Sequence, residues 1–336
     1  MKKDIQTTLL NIIKQRIAKE DNIGNVLSEL LSISVDAAYR RNRNETPFTI
    51  YEVKKICKQF NISFDNLSEV KENQVLFEYS PLHNYDFSFD SYLDGLLAAL
   101  KKLGNCTNPS ITLTANNIPL FQLLNFPHLT RFRLFFWAKT HLQIEEYQNE
   151  LFQEEKLTEH AYKVGYEILQ RYVNTPTVEC YDPEFLKGFM RQIQYYSNAH
   201  LFKDPNYPLQ LLDEIKMMAD HIKEQATLGK KFIYRQQPPV DGNEYDVYLN
   251  DTINADNTFY YTSKEQSGIY LVHNHLNFLH TSNPTYVKES KSILDKQFAN
   301  SSLISKVNEK ERNAFFHRLD HTISVFRKRI EADLEF

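Results

Sequence analysis

The sequence predicts a mainly α protein in two parts. A five-helix domain is expected over residues 1–70, and a larger, predominantly helical domain with a small antiparallel β-sheet near 244–275 is expected over residues 71–336. Three observations point there. Apolar residues recur at steps of three and four through most of the chain, the period of one buried helical face. Glycine is scarce, at 8 residues, which disfavours an all-β design and glycine-rich phosphate loops. A short polar run, Ser68 to Asn73, separates a front of cationic amphipathic segments from a back rich in Tyr and Phe, and after Pro238 the period falls to two.

The first helix is expected over 4–19, with Ile5, Leu9, Ile12, Ile13 and Ile17 on one face and Lys14, Arg16 and Lys19 outside. A second, short helix starts at Ile23 and turns Val26, Leu27, Leu30 and Leu31 inward, with Ser28 small enough for a close crossing. Ser32-Ile33-Ser34 reads as a tight turn, in which Ile33 plugs the core and Ser34 caps the next helix. Ala37 and Ala38 let that third helix press on its neighbour, while Tyr39, Arg40 and Arg43 face the other way. Thr49-Ile50-Tyr51-Glu52 is a capping box for a fourth helix, with Val53, Ile56, Cys57 and Phe60 inside. Ser63 then caps a short fifth helix ending at Leu67.

This succession resembles the lambda-repressor-like (XRE/Cro-type) helix-turn-helix family of bacterial transcriptional regulators, over roughly the first fifth of the chain. The resemblance implies that the third helix lies in the major groove of double-stranded DNA. The matching DNA-binding positions are Ser34, Val35, Asp36, Tyr39, Arg40 and Arg43. The chemistry of these side chains suits contact with a duplex. Arg bonds guanine through two nitrogens, Asp accepts from cytosine N4, and Ser and Tyr hydroxyls hold phosphates. Paired half-sites imply a homodimer. Three positions depart from the family pattern: Ser32 and Asn44 stand where it favours Gly, and Arg41 where an aliphatic residue is common. These bear on the angle of the reading helix. The back of the chain is similar to a group of bacterial regulators that join such a domain to one of unassigned function, and that likeness supplies no site residues.

In the larger domain, Gln74 to Tyr79 alternates as a strand, residues 90–103 form a helix on Leu93, Leu96, Leu97, Leu100 and Leu103, and Ile111 to Thr114 reads as a second strand. A helix from Pro127 to about His141 carries Phe132, Phe135, Phe136 and Trp137. The stretch Ile118 to Thr140 is expected to centre the second core, with an apolar ligand pocket as the other reading. Helices are expected over 158–173, 183–198 and 208–228, the last stopped by Gly229. Tyr245, Val247 and Leu249, then Phe259 and Tyr261, then Ile269, Leu271 and His273 predict a three-stranded antiparallel meander. Two helices, about 284–299 and 308–333, close the chain. Phe316, Leu319, Ile323, Phe326 and Ile330 of the last make a coiled-coil-like seam, fit for its own core or a second copy.

Charge and motifs narrow the function. Residues 1–70 hold 11 Lys and Arg against 9 Asp and Glu, so a net charge of −4 leaves +2 in front and −6 behind. A focused cationic edge on an acidic protein suits salt-sensitive, specific DNA binding. Cys57, Cys106 and Cys180 have neither zinc nor disulfide spacing, which points to a reducing cytoplasm. No leader and no membrane-spanning run is expected. His273 and His275 share a face if they lie on a strand, and His317 and His321 share a helix face, but no carboxylate sits at a diagnostic offset and no metal is expected. No nucleophile elbow, phosphate loop or dinucleotide fingerprint is present, so no catalytic residue, enzyme activity or cofactor is expected. The resulting expectation is a cytoplasmic, homodimeric transcriptional regulator whose larger domain dimerises or senses a small-molecule or peptide effector. The alternative is a protein-interaction adaptor with a degraded helix-turn-helix and an aromatic-rich helical body. Arg40 and Arg43 discriminate the two.

Overall fold

The computed structural model describes residues 5–17, 21–60, 62, 64, 74–80, 88–153, 158–252 and 256–334. The chain divides into two compact units, 1–76 and 77–336.

In the first unit, α1 spans Ile5–Arg16, α2 Ile23–Leu31, α3 Val35–Asn42 and α4 Ile50–Gln59. Leu9, Leu10, Ile13, Leu27, Leu31, Ala38, Ile56 and Ile62 form one core. Local chemistry sets the helix ends. Asn22 Oδ1 accepts from Gly24 N at 2.8 Å to start α2. Ser34 Oγ accepts from Ala37 N at 3.2 Å to start α3. Thr49 and Glu52 form a reciprocal capping box on α4. Between α2 and α3 the chain reverses through Ser32 in the left-handed region, at φ 57°. Asn44 takes the same conformation after α3, at φ 59°. Arg41 does not bury as an aliphatic residue would. It pairs with Glu52 at 2.9 Å, with both side chains 14% exposed, and so joins α3 to the capping box of α4. The expected fifth helix lies, apart from Ile62 and Phe64, outside the described residues.

The second unit overturns the expectation of a predominantly helical body with a small antiparallel sheet. Its framework is an eight-stranded mixed sheet in the order β1-β7-β6-β5-β2-β3-β4-β8. The strands are β1 Glu78–Tyr79, β2 Ser110–Ala115, β3 Thr177–Tyr181, β4 Tyr245–Leu249, β5 Thr258–Thr262, β6 Ser267–His273, β7 Asn277–Thr281 and β8 Ser302–Leu303. The helices are α5 Phe89–Gly104, α6 Leu120–Leu123, α7 Pro127–Phe136, α8 Glu145–Gln148, α9 Glu159–Val173, α10 Lys187–Asn198, α11 Tyr207–Leu228, α12 Pro284–Ala299 and α13 Glu309–Leu334. The centre is parallel: Ile111 of β2 lies beside Thr177 of β3, which lies beside Tyr245 of β4. Helices α6 to α9 connect β2 to β3, and α10 and α11 connect β3 to β4, as parallel pairing requires. The expected meander is therefore wrong in its first member. β4 belongs to the parallel centre, and the antiparallel arm is β5-β6-β7-β1, with β2 and β3 standing between β4 and β5.

The sheet positions two helical groups. Leu113, Ala115, Tyr181, Tyr245, Val247 and Leu249 pack with α7, α10, α11 and α13, while Ile111 and Tyr261 pack with α5 and α9. Tyr260 and Ile269, paired in register, meet Val287 and Leu294 of α12. The seam of α13 is spent inside this unit: Phe315, Phe316, Leu319, Ile323, Phe326 and Ile330 are all buried in its core. Gly229 ends α11 in the left-handed region, at φ 63°.

Candidate functional site

The first candidate site is the outer face of α3. Its inner residue, Ala38, is fully buried against α2 and α4. Val35, Asp36, Arg40 and Arg43 are exposed. Ser34 uses its oxygen as the cap acceptor, which leaves the hydroxyl hydrogen to donate outward. Arg40 pairs with Asp36 one turn earlier at 2.9 Å, with the side chains 58% and 68% exposed. Arg43, just past the last helical residue, grips Glu45 through Nε at 2.7 Å and Nη2 at 3.0 Å. Ion pairs this exposed are worth roughly 0–1 kcal/mol. A guanidinium bonded twice to guanine is worth about 1–3 kcal/mol, so a base edge or phosphate can displace either carboxylate. Val35, at the front of the helix, suits the methyl group of thymine.

Tyr39 stands differently from the other expected contact residues. Its ring closes over Gly24 of α2, where an added Cβ would lie 2.8 Å from Cζ. Gly24 is thus a small residue at the crossing. Ser28 donates to the Ile33 carbonyl at 2.6 Å and fastens the turn. Sequence reasoning also passed over Ile50 and Tyr51, which begin α4 at 73% and 79% exposure. The available signal was their place in the capping box, one and two positions after Thr49 and off the apolar face. The Tyr51 hydroxyl and the exposed Lys54, Lys55 and Lys58 of the same helix have the chemistry of phosphate contacts.

The second candidate site is a cavity of about 810 Å³ in the larger unit, between α5 and the face of β5-β6-β7, reaching α7. Ile118 to Thr140 is divided between the core and the wall of this cavity. Phe126, Leu129 and Phe132 are core, whereas Phe121, Arg133 and Trp137 line the cavity. After Phe136 the helix widens into a π-helical turn, Trp137–His141, closed by Leu142 N donating to Trp137 O at 2.8 Å. Such widenings occur often at functional sites.

Arg133 is 6% exposed. Its Nη1 donates to Gln192 at 3.1 Å, its guanidinium lies 4.3 Å from the centre of the Phe189 ring, and Nη2 has no partner. Burial pulls its pKa down to about 9, so it remains charged at neutral pH. Beside it, the rings of His141 and His275 meet edge to face at 4.7 Å. Burial, then His141 and Arg133, hold His275 below its ordinary pKa. His275 does not continue β6 with His273. That strand ends at His273, and Asn274 and His275 both turn at positive φ, so the predicted shared face does not form. His317 and His321 are exposed on α13. Among the described residues, no group of three or more His, Cys, Asp or Glu is placed to hold a metal ion.

A third cluster is closed. Glu179 of β3 is fully buried and accepts from the hydroxyls of Tyr172, Tyr181 and Tyr245. Lys231, also buried, donates to the Tyr172 carbonyl and Thr177. Burial raises the Glu179 pKa against the pull of the Tyr181 and Tyr245 hydroxyls and of Lys231, and burial lowers that of Lys231 against Glu179. Neither residue lines the cavity, so the cluster reads as framework.

No helix among the described residues is long and apolar enough to cross a membrane. No curated protein and no solved structure matched the chain. One family model does match, described as the BetR domain, over residues 6–87. The front of this chain thus matches a helix-turn-helix-like DNA-binding domain, the BetR domain, over residues 6–87.

Proposed function

We propose that the chain is a sequence-specific transcriptional regulator without enzymatic activity. Residues 1–70 read an operator as two copies on paired half-sites, and residues 71–336 respond to a small-molecule or peptide effector. The observation that carries this reading is α3, a capped helix behind a left-handed turn. It buries Ala38 and presents Val35, Asp36, Arg40 and Arg43 together on one exposed face. The XRE/Cro-type likeness is supported by Ser32 and Asn44, which take the left-handed conformation where that family favours glycine. The effector role is supported by the cavity and its buried guanidinium. The dimer surface lies elsewhere than the α13 seam, which is buried in its own unit. Three unpaired, widely separated cysteines fit a reducing cytoplasm.

The test is selection of duplexes from a random library by the full chain. The expected result is an enriched motif of two half-sites spaced by about 10–10.5 base pairs or a multiple of that. Failure to enrich any motif would overturn the reading and favour the adaptor.

A further inference from the structure

We propose that the cavity of the larger unit binds an amphipathic carboxylate, its apolar body against α5 and β5-β7 and its acid group at Arg133. This rests on the reading of that unit as the sensing half.

Size comes first. A cavity of about 810 Å³ falls within the range that holds drug-sized or lipid-sized molecules, and such sites are apolar with a few placed polar groups. The wall follows that plan. Leu96, Leu100, Phe121, Phe259 and Phe278 supply apolar surface, and Gly95 of α5 leaves open space, with nothing within 4 Å of where a Cβ would stand.

Charge comes second. Besides tyrosines, the titratable side chains on this wall are Glu78, Lys102, Arg133, His141, His275 and His280. The one carboxylate among these, Glu78, pairs with His280 at 3.0 Å. Arg133 faces the neutral amide of Gln192 and the rings of Phe189 and Trp137, and Nη2 has no acceptor. A buried guanidinium is ordinarily matched by an acid. Among the described residues none pairs with it, and burial alone accounts for the shift in its pKa. An anion from outside completes the arrangement. A single guanidinium beside an imidazole held below its usual pKa suits one negative charge, which favours a carboxylate over a phosphate dianion.

The site carries its own reporter. Trp137 is the chain's only tryptophan, it lines the cavity, and its ring lies 5.7 Å from the Arg133 guanidinium. The full chain is titrated with decanoate and, separately, decanol, following Trp137 emission. Decanoate is expected to change the emission saturably and to bind at least tenfold more tightly than decanol. In Arg133→Met the decanoate affinity is expected to fall at least tenfold while decanol is unaffected. Equal affinities for acid and alcohol, no saturable change, or undiminished decanoate binding in Arg133→Met would each overturn the proposal. If Arg133→Met fails to fold, the acid-against-alcohol comparison in the unaltered chain still decides. Emission is read without DNA, so loss of this proposal and loss of the regulator reading are separate results.

Discussion

Gly24 and Tyr39 set how closely α2 and α3 cross, and so where α3 points. Alanine is the better helix former by about 1 kcal/mol. At position 24, however, its Cβ would stand 2.8 Å from Tyr39 Cζ and 3.0 Å from both Cε atoms. Overpacking of that kind costs about 1–3 kcal/mol. Gly24→Ala is therefore expected to lower the stability of the full chain in urea unfolding, and to weaken DNA binding by tilting α3. A gain in stability would mean that the ring swings away at no cost. Tyr39 also shows what a residue pattern conceals. Its spacing with Arg40 and Arg43 marked a face, but only the absence of a side chain at Gly24 lets the ring turn back onto α2. Ser34, Ser32 and Asn44 were more legible, because caps and left-handed positions depend on a residue's own short-range chemistry.

At the scale of elements, β3 explains why the sheet was hard to read. It is a central strand, yet the residues it turns toward the helices are Thr177, Glu179 and Tyr181. A strand whose buried face is polar carries no apolar alternation, and the partners that satisfy it come from Tyr172, Lys231 and Tyr245, on other elements. β7 was missed for a related reason: Phe278 and His280 line a cavity and neither is fully buried. The long helices were legible because each carries one apolar face. Removing Glu179 strands three buried hydroxyls and takes away the negative charge that acts on buried Lys231. Glu179→Ala is thus expected to cost about 3–5 kcal/mol in the transition of the larger unit. Glu179→Gln, which retains an acceptor, is expected to cost less, and equal losses would refute the role of the acceptor.

Helix α11 adds a pH dependence through His221. It is 2% exposed, bonds the Phe232 carbonyl at 3.0 Å and leaves Nδ1 without a partner. Burial pulls its pKa from 6.5 to about 4, with the Phe232 carbonyl opposing. The unfolded chain therefore takes up this proton first as pH falls. The stability tied to neutral His221 is whole above pH 6.5 and is lost on the way down to about pH 4, a drop of roughly 3 kcal/mol. Urea midpoints across that window are expected to slope less in His221→Gln than in the unaltered chain. Equal slopes would assign the acid sensitivity to other groups.

Over the whole molecule, the front unit was legible because its contacts are local: caps, a tight turn and helices that pack on near neighbours in sequence. The larger unit is built from long-range pairing, such as Thr107 with Glu265 and Asn277 with the Ser80 carbonyl, which no short window of sequence announces. The α13 seam shows the same limit. Its three-and-four spacing was plain, but only the fold shows that it packs on α10 and α11 of its own unit. Fluorescence anisotropy tests the regulator most directly, with the full chain titrated into the selected motif and a scrambled duplex at several salt concentrations. The expected result is tighter binding to the motif, weakening as salt rises, with Arg40→Ala costing about 1–3 kcal/mol on the motif. Equal affinity for both duplexes, or a motif affinity that Arg40→Ala leaves unchanged, would contradict the assignment of α3 as the helix that reads DNA.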